Sequence, residues 1–375
     1  WLQDAPLDDA ARQWLDTTPS DDNPAYAYLL GFGAPADQSP ARQGQALAQR
    51  QKSHPDLPLP NSYRDLNASP LLCRNMDASC LLQQQEKRVA AEALVNRYQF
   101  LIDRYQTFLD FAYFSDNTPP RLDATFPEYS LLITASRLQS LAWALSDAPE
   151  KNIDREIQQL RHWLAQDHSL ISKMIANAML AEKLQLTALL VQQGKMPTLR
   201  LAPLTTAEKS FQAPLQKEFA MMAHFFIDEQ YRDGNEAASW IEEIQFRAGL
   251  KKHISVNRML PLYQYYAQLA EQPVDAIEAD QFHPDPASMS EAIRNPIGNV
   301  LLETASPDFK QYLLRLVHLD ARMALLKQLD KTETDNPVNN PWTPGKEDTL
   351  TRRDKQLCFR HAPDHDRYNS CLPLL

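Results

Sequence analysis

The chain has 375 residues, enough for one to three domains, and its 43% hydrophobic and 23% charged content is ordinary for a globular protein. A formal charge of −10, with basic residues paired only locally as in Lys251-Lys252 and Arg352-Arg353, argues against nucleic acid or an anionic membrane surface as main partner. Twenty-seven prolines against eight glycines leave no glycine-rich loop of the kind that cradles phosphate.

In chain order, the first 70 residues hold nine prolines, which predicts an extended, turn-rich segment over 1–82 wrapping a helical body. The chain opens on Trp1 rather than Met, and a removed signal peptide or an N-terminal membrane anchor fits that start. Cys73 and Cys80 stand seven residues apart in this part of the chain.

Residues 83–330 read as helix after helix. One helix is expected over 83–114, stopping before Pro119-Pro120, and another over 128–146 after Pro127. Residues 150–165 give the cleanest amphipathic pattern, with Ile153, Ile157, Leu160, Trp163 and Leu164 on one stripe. A more apolar helix over 168–193 ends at Gly194, with Pro197 beyond. No segment is expected to span a bilayer, because an uncharged stretch such as Leu184 to Gly194 falls far short of roughly 20 apolar residues. Helices over 214–231, 236–249 and 255–270 follow, and the last long one is expected to start with Ser306 as cap, Pro307 in the first position and Asp308 in the first turn.

Residues 331–375 carry Cys358 and Cys371, and 356–359 is expected to pair with 369–374 as a short hairpin. Four cysteines allow three connectivities, of which local pairing, Cys73–Cys80 and Cys358–Cys371, is the simplest. Disulfides point to an oxidising compartment. Trp342, Leu357, Phe359, Tyr368, Leu372 and Leu374 are too apolar for a free tail, so this segment is expected to pack on the body. The expected fold is therefore all-α, an irregular antiparallel helical array with proline-rich N-terminal wrapping and a small disulfide-closed C-terminal hairpin or loop.

Chemistry is sparse. There is no Walker loop, no Gly-x-Ser-x-Gly elbow and no His-Glu-x-x-His. Cys358-x2-His361-x3-His365-x5-Cys371 has ligand spacing compatible with zinc, but a disulfide would consume both thiols; no metal or other cofactor is expected. His224 and Asp228, at i and i+4 on one helix, have the spacing of the base and orienting acid of a nucleophilic triad, but with no identifiable nucleophile they read as a hydrogen-bonded helix-surface or semi-buried pair. His162, Asp167 and His168 flank a helix boundary, and Asp167 or His168 suits capping there. Glu242-Glu243 reads as surface charge, and Tyr263, Tyr265, Tyr266, Trp240, Phe246 and Phe282 as core rather than a groove.

Asn23-Pro24-Ala25-Tyr26-Ala27-Tyr28-Leu29-Leu30-Gly31-Phe32, Leu170-Ile171-Ser172-Lys173-Met174-Ile175-Ala176 and Asn295-Pro296-Ile297-Gly298-Asn299-Val300-Leu301-Leu302 resemble a group of uncharacterised, mostly helical envelope proteins of Gram-negative proteobacteria. The resemblance covers most of the chain and implies an envelope location, without a catalytic residue to carry over. The helical steric chaperones of secreted lipases offer an analogy only, since their Arg-x-x-Phe-Asp-Tyr signature is missing from Arg104-Tyr105-Gln106-Thr107-Phe108-Leu109-Asp110. The expected function is a non-enzymatic periplasmic interaction protein that binds another envelope or secreted protein through a helical surface, as an immunity protein or scaffold does. The rival expectation is a periplasmic hydrolase assembled around His224 and Asp228.

Overall fold

Prolines start helices here instead of excluding them. Pro24 and Pro40 occupy the first turns of α2 (Pro24–Leu30) and α3 (Pro40–Gln51), where a missing N–H costs nothing and the fixed φ suits the helix. Asn23 and Ser39 cap them, accepting from the amides of Tyr26 and Arg42. The wrapping expected over 1–82 is therefore corrected: this region also contains α1 (Asp9–Leu15), a 3-10 turn (Arg64–Ala68) and α4 (Ala78–Glu86). The computed structural model describes residues 3–17, 23–54, 56–59, 63–166, 169–228, 248–283, 285–305, 307–329, 337–363 and 370–375. The backbones of α2 and α3 touch: a Cβ on Gly44 would lie 1.5 Å from the Ala27 carbonyl oxygen, and one on Gly31 2.0 Å from that of Pro40. Gly31 thus serves helix contact.

The single helix expected over 83–114 is three: α4, α5 (Arg88–Arg97) and α6 (Gln99–Leu109), divided at Lys87 and Tyr98. Apolar spacing continues across both divisions, so patterning gave no sign of them. A tertiary contact accompanies the second: Tyr98 and Phe100 pack on Tyr63, with ring centroids 6.5 and 5.4 Å away. From α6, Arg104 donates to the carbonyls of Phe32, Ala34, Pro35 and Gln38 at 2.6–3.0 Å, closing the loop after α2.

α7 (Tyr129–Leu145), α8 (Glu150–Gln166) and α9 (Leu170–Gln192) form the centre. Ser169 caps α9, and Gly194, at φ 70°, ends it. By length and mean hydropathy of 1.3, α9 could cross a membrane, which the sequence reading did not anticipate; 67% of that window is buried within the protein. The helix also contains Lys173 and Lys183, both fully buried. Lys183 Nζ lies 3.0 Å from Glu156 and donates to Ser140 Oγ (2.5 Å) and the Ser136 carbonyl (2.8 Å).

Beyond it come α10 (Thr206–Lys209), α11 (Gln212–Ile227), α12 (Lys252–Leu269), α13 (Val274–Glu278), α14 (Met289–Arg294), α15 (Pro296–Ala305) and α16 (Lys310–Leu326). The helix expected over 236–249 lies for the most part outside the described residues, as does Ser306. α16 begins later than expected, with Phe309 in the cap position and no side-chain cap there, while Asp308 Oδ1 accepts from Lys310 N at 3.1 Å. Phe309 is then buried between Tyr263 and Tyr266, 5.3 and 5.7 Å away.

The C-terminal segment adds two small antiparallel sheets. β1 (Val338–Asn339) pairs with β2 (Glu347–Asp348), while β3 (Leu350–Arg353), β4 (Gln356–Phe359) and β5 (Leu372–Pro373) lie in that order. The expected hairpin is present as β4–β5, with Leu357 opposite Leu372. β3 was unforeseen. Its turn to β4 places Asp354 and Lys355 at φ 49° and 58°, without the glycine that usually signals such a turn. Trp342, Leu357, Phe359 and Leu372 are at most 3% exposed and join the helical core. Helix makes up 59% and strand 4%, so all-α describes the class only approximately. Disulfides Cys73–Cys80 and Cys358–Cys371 are both formed.

Candidate functional site

A cavity of about 530 Å³ lies where four parts of the chain meet: the 201–211 segment, the turn from α12 to α13, α16 and the C-terminal segment. Its floor is Leu313, Leu316, Val317 and Met323 on α16, at the i, i+3 and i+4 spacing of one helix face. Pro203, Pro341 and Pro344 stiffen the surround. The 201–211 wall is fixed from behind: Arg161 grips Glu208 with two hydrogen bonds (2.6 and 2.9 Å) and donates to the carbonyls of Ala202 and Pro203. A capping box between Thr205 and Glu208 winds the single turn of α10.

The ionisable groups lining this groove are Lys209, Asp320 and Lys327. Asp320, only 4% exposed, pairs with Lys209 and accepts the Leu204 amide at 2.6 Å. Asn340 is engaged as well, donating to Asp348 (2.8 Å) and accepting from Trp342 N (3.0 Å). With Asp320, Lys209 and Asn340 committed to the protein, the groove offers apolar surface to an occupant. That chemistry suits binding of apolar side chains better than bond making.

Residues singled out in the sequence lie elsewhere. His224 Nδ1 stands 3.4 Å from Asp228 Oδ2, with both side chains about one third exposed. Among the described residues no hydroxyl or thiol is hydrogen-bonded to His224, whose Nδ1 has no hydrogen-bond partner. The zinc spacing is taken apart: Cys358 and Cys371 form a disulfide, and His361 Nδ1 lies 2.7 Å from Asp348 Oδ1. Burial works to raise the Asp348 pKa, but hydrogen bonds from His361, Thr349 and Asn340 hold it below the ordinary carboxylate value. His365 is outside the described residues, as are Asp167, His168, Trp240, Glu242, Glu243 and Phe246. His162 Nε2 lies 2.9 Å from the Ala112 carbonyl. Tyr263 and Tyr266 are buried in the core; Tyr265 stacks on Phe282, with centroids 4.6 Å apart.

Two buried charge clusters escaped the sequence reading. One is Lys183, Glu156 and Tyr105, whose hydroxyl donates to Glu156 at 2.5 Å. Burial pushes the Glu156 pKa up despite Lys183. The other is Asp116, held by Lys217, the Thr118 amide and the Tyr129 hydroxyl. Burial works to raise the Asp116 pKa, but Lys217 and those hydrogen bonds leave it lowered. Beside it, Glu218 is pushed up to about 7, by burial first, with Lys217 opposing and Asp116 adding. A signal for the first cluster was available: lysines at 173 and 183 interrupt an otherwise apolar helix.

Compared with protein-family models, with characterised proteins and with solved structures, the chain matches none. Fold and bonding define it as a largely helical protein stapled by two disulfides, a chemistry that belongs to an oxidising, extracytoplasmic environment.

Proposed function

We propose that this is a non-enzymatic interaction protein of the Gram-negative periplasm or envelope that binds another envelope or secreted protein. The observation that carries this reading is the 530 Å³ groove over α16, lined largely by apolar side chains, with Asp320, Lys209 and Asn340 on its walls committed to the protein's own structure. Such a surface accepts an apolar anchor residue of a partner, the kind of buried contact that dominates interface energetics. Lys327 at the edge adds a positive charge for an acidic flank. The resemblance to envelope proteins and the disulfides support the compartment. A role in neutralising a toxin or scaffolding an assembly follows as a specific form of the same activity.

The test is co-purification from native periplasm with tagged wild type, a groove variant Val317→Glu and a control Val89→Glu on the exposed face of α5. Wild type and control should retain the same partner, and the groove variant should lose it. A partner retained equally by all three would exclude the groove as the binding surface.

A further inference from the structure

A second cavity, about 370 Å³, opens between α12 and α15. Its apolar lining is Met259, Leu262, Tyr266, Phe282, Leu302 and Pro307. Met259 and Tyr266 are buried, and Leu262, Phe282 and Leu302 pack against the core, so the lining is anchored to the fold. Tyr265 backs Phe282 with ring centroids 4.6 Å apart, and its hydroxyl donates to Asp280 at 2.5 Å. Arg258, Leu262 and Tyr266 recur every four residues on α12, which sets the guanidinium at one end of this apolar lining.

Charges of both signs line this cavity, and among the described residues no salt bridge joins Arg258 to Glu303 or Asp308. Arg258 instead donates to two uncharged oxygens, Asn299 Oδ1 and the Asp285 carbonyl (3.3 Å). Asn299 and Glu303 stand four apart on α15, about 6 Å between Cβ atoms. The Glu303 carboxylate therefore lies one helical turn along from the side chain that the guanidinium grips. Asp308, whose Oδ1 accepts the Lys310 amide, adds a second carboxylate to the lining. Glu291, another acid near Arg258, is held by the Ser288 cap, its carboxylate accepting that amide at 2.9 Å.

We propose that this cavity binds a free α-amino acid with an apolar side chain, its carboxylate on Arg258, its ammonium on Glu303 and Asp308, and its side chain against Leu262, Tyr266 and Phe282. A guanidinium carries more N–H donors than Asn299 and Asp285 use, and a carboxylate is its natural partner. An α-amino acid holds both of its charges on one carbon, so it can bridge a cation and an anion set one helical turn apart. A ligand with only a negative charge would meet Glu303 and Asp308, and one with only a positive charge would meet Arg258; each like-charge contact is unfavourable. The volume lies within the range usual for small-molecule sites and leaves room for a branched or aromatic side chain. This site shares no lining residue with the groove over α16 and does not rest on the partner proposed for it.

Calorimetric titration of the full chain, disulfides intact, with L-phenylalanine, phenethylamine and 3-phenylpropionate at neutral pH and constant ionic strength tests the site and the need for both charges. Saturable one-to-one binding of phenylalanine is expected, with a matching rise in melting temperature. Each singly charged analogue should bind about ten-fold more weakly or worse, the loss of one charge-assisted contact. Glu303→Gln, at an exposed position, should weaken phenylalanine several-fold and narrow its advantage over 3-phenylpropionate, while leaving the ligand-free melting temperature unchanged. Arg258→Gln should narrow the advantage over phenethylamine; because Arg258 also holds Asn299, the Glu303 variant keeps the site testable if this one does not fold. Absence of saturable heat with phenylalanine up to millimolar concentration, equal affinity for phenylalanine and either analogue, or unchanged affinity in the Glu303→Gln protein overturns the proposal.

Discussion

Ser370 Oγ lies 2.8 Å from His318 Nδ1, joining the residue before Cys371 to the middle of α16. Trp342 Nε1 donates to the same oxygen at 2.7 Å. Since an indole N–H only donates, the serine accepts from it, and its own proton is then available to His318. One hydroxyl thus keys both halves of the C-terminal segment, 337–363 and 370–375, to the helical body.

Ser370→Ala removes that oxygen from a site where Ser370, His318 and Trp342 are all at most 4% exposed. The indole N–H loses a buried partner, and a loss of about 1–3 kcal/mol is expected. Urea unfolding with an unchanged slope and a lower midpoint would show it. A midpoint equal to wild type would mean that water replaces the hydroxyl and that the key is dispensable.

Glu218 sets a pH dependence. Its folded pKa of about 7 stands above the ordinary 4.5, so it contributes its full stability below pH 4.5 and loses it as pH rises through 7. Asp116, whose pKa is lowered, works in the opposite sense at lower pH. Glu218→Gln should therefore be more stable than wild type at pH 8, by about 2 kcal/mol after allowing for its partly open edge, and equal to it near pH 4.5. Denaturant midpoints of the two proteins across pH 4.5–8 measure this. Parallel curves would assign the pH dependence to other groups.

The fold was more legible in this sequence than the site, for physical reasons. The helices around Ile153, Ile157 and Leu160, and around Leu184 and Leu189, announce themselves because burial on one or all faces leaves a periodic or continuous apolar signal. The division at Tyr98 leaves none, because what accompanies it is the contact of Tyr98 and Phe100 with Tyr63, more than thirty residues upstream. Local cysteine pairing could be proposed from short spacing. The two cavities could not: Lys209 meets Asp320, and Arg258 shares a cavity with Glu303, only after the chain has folded. His224 and Asp228 attracted notice because i, i+4 spacing is visible along a sequence; convergence across elements is not.

Lys183 and Glu156 offer the sharpest energetic test of the core. Both are at most 5% exposed at the side chain, 3.0 Å apart, with Tyr105 completing the carboxylate's shell. Replacing only the lysine, as Lys183→Met, leaves a buried carboxylate without its counter-charge and should cost about 3–5 kcal/mol. Adding Glu156→Gln removes the stranded charge while keeping an oxygen for the Tyr105 hydroxyl. The double variant should then regain most of the loss, giving a coupling of roughly 2 kcal/mol or more in a double-mutant cycle. The Lys183→Met deficit should also shrink as pH falls toward 4.5, because the Glu156 pKa, already raised by burial, rises further without the lysine and protonation relieves the cost. Additive penalties that are flat with pH would mean that water or a local shift solvates Glu156, and that the pair is not a dry ion pair at the centre of the fold.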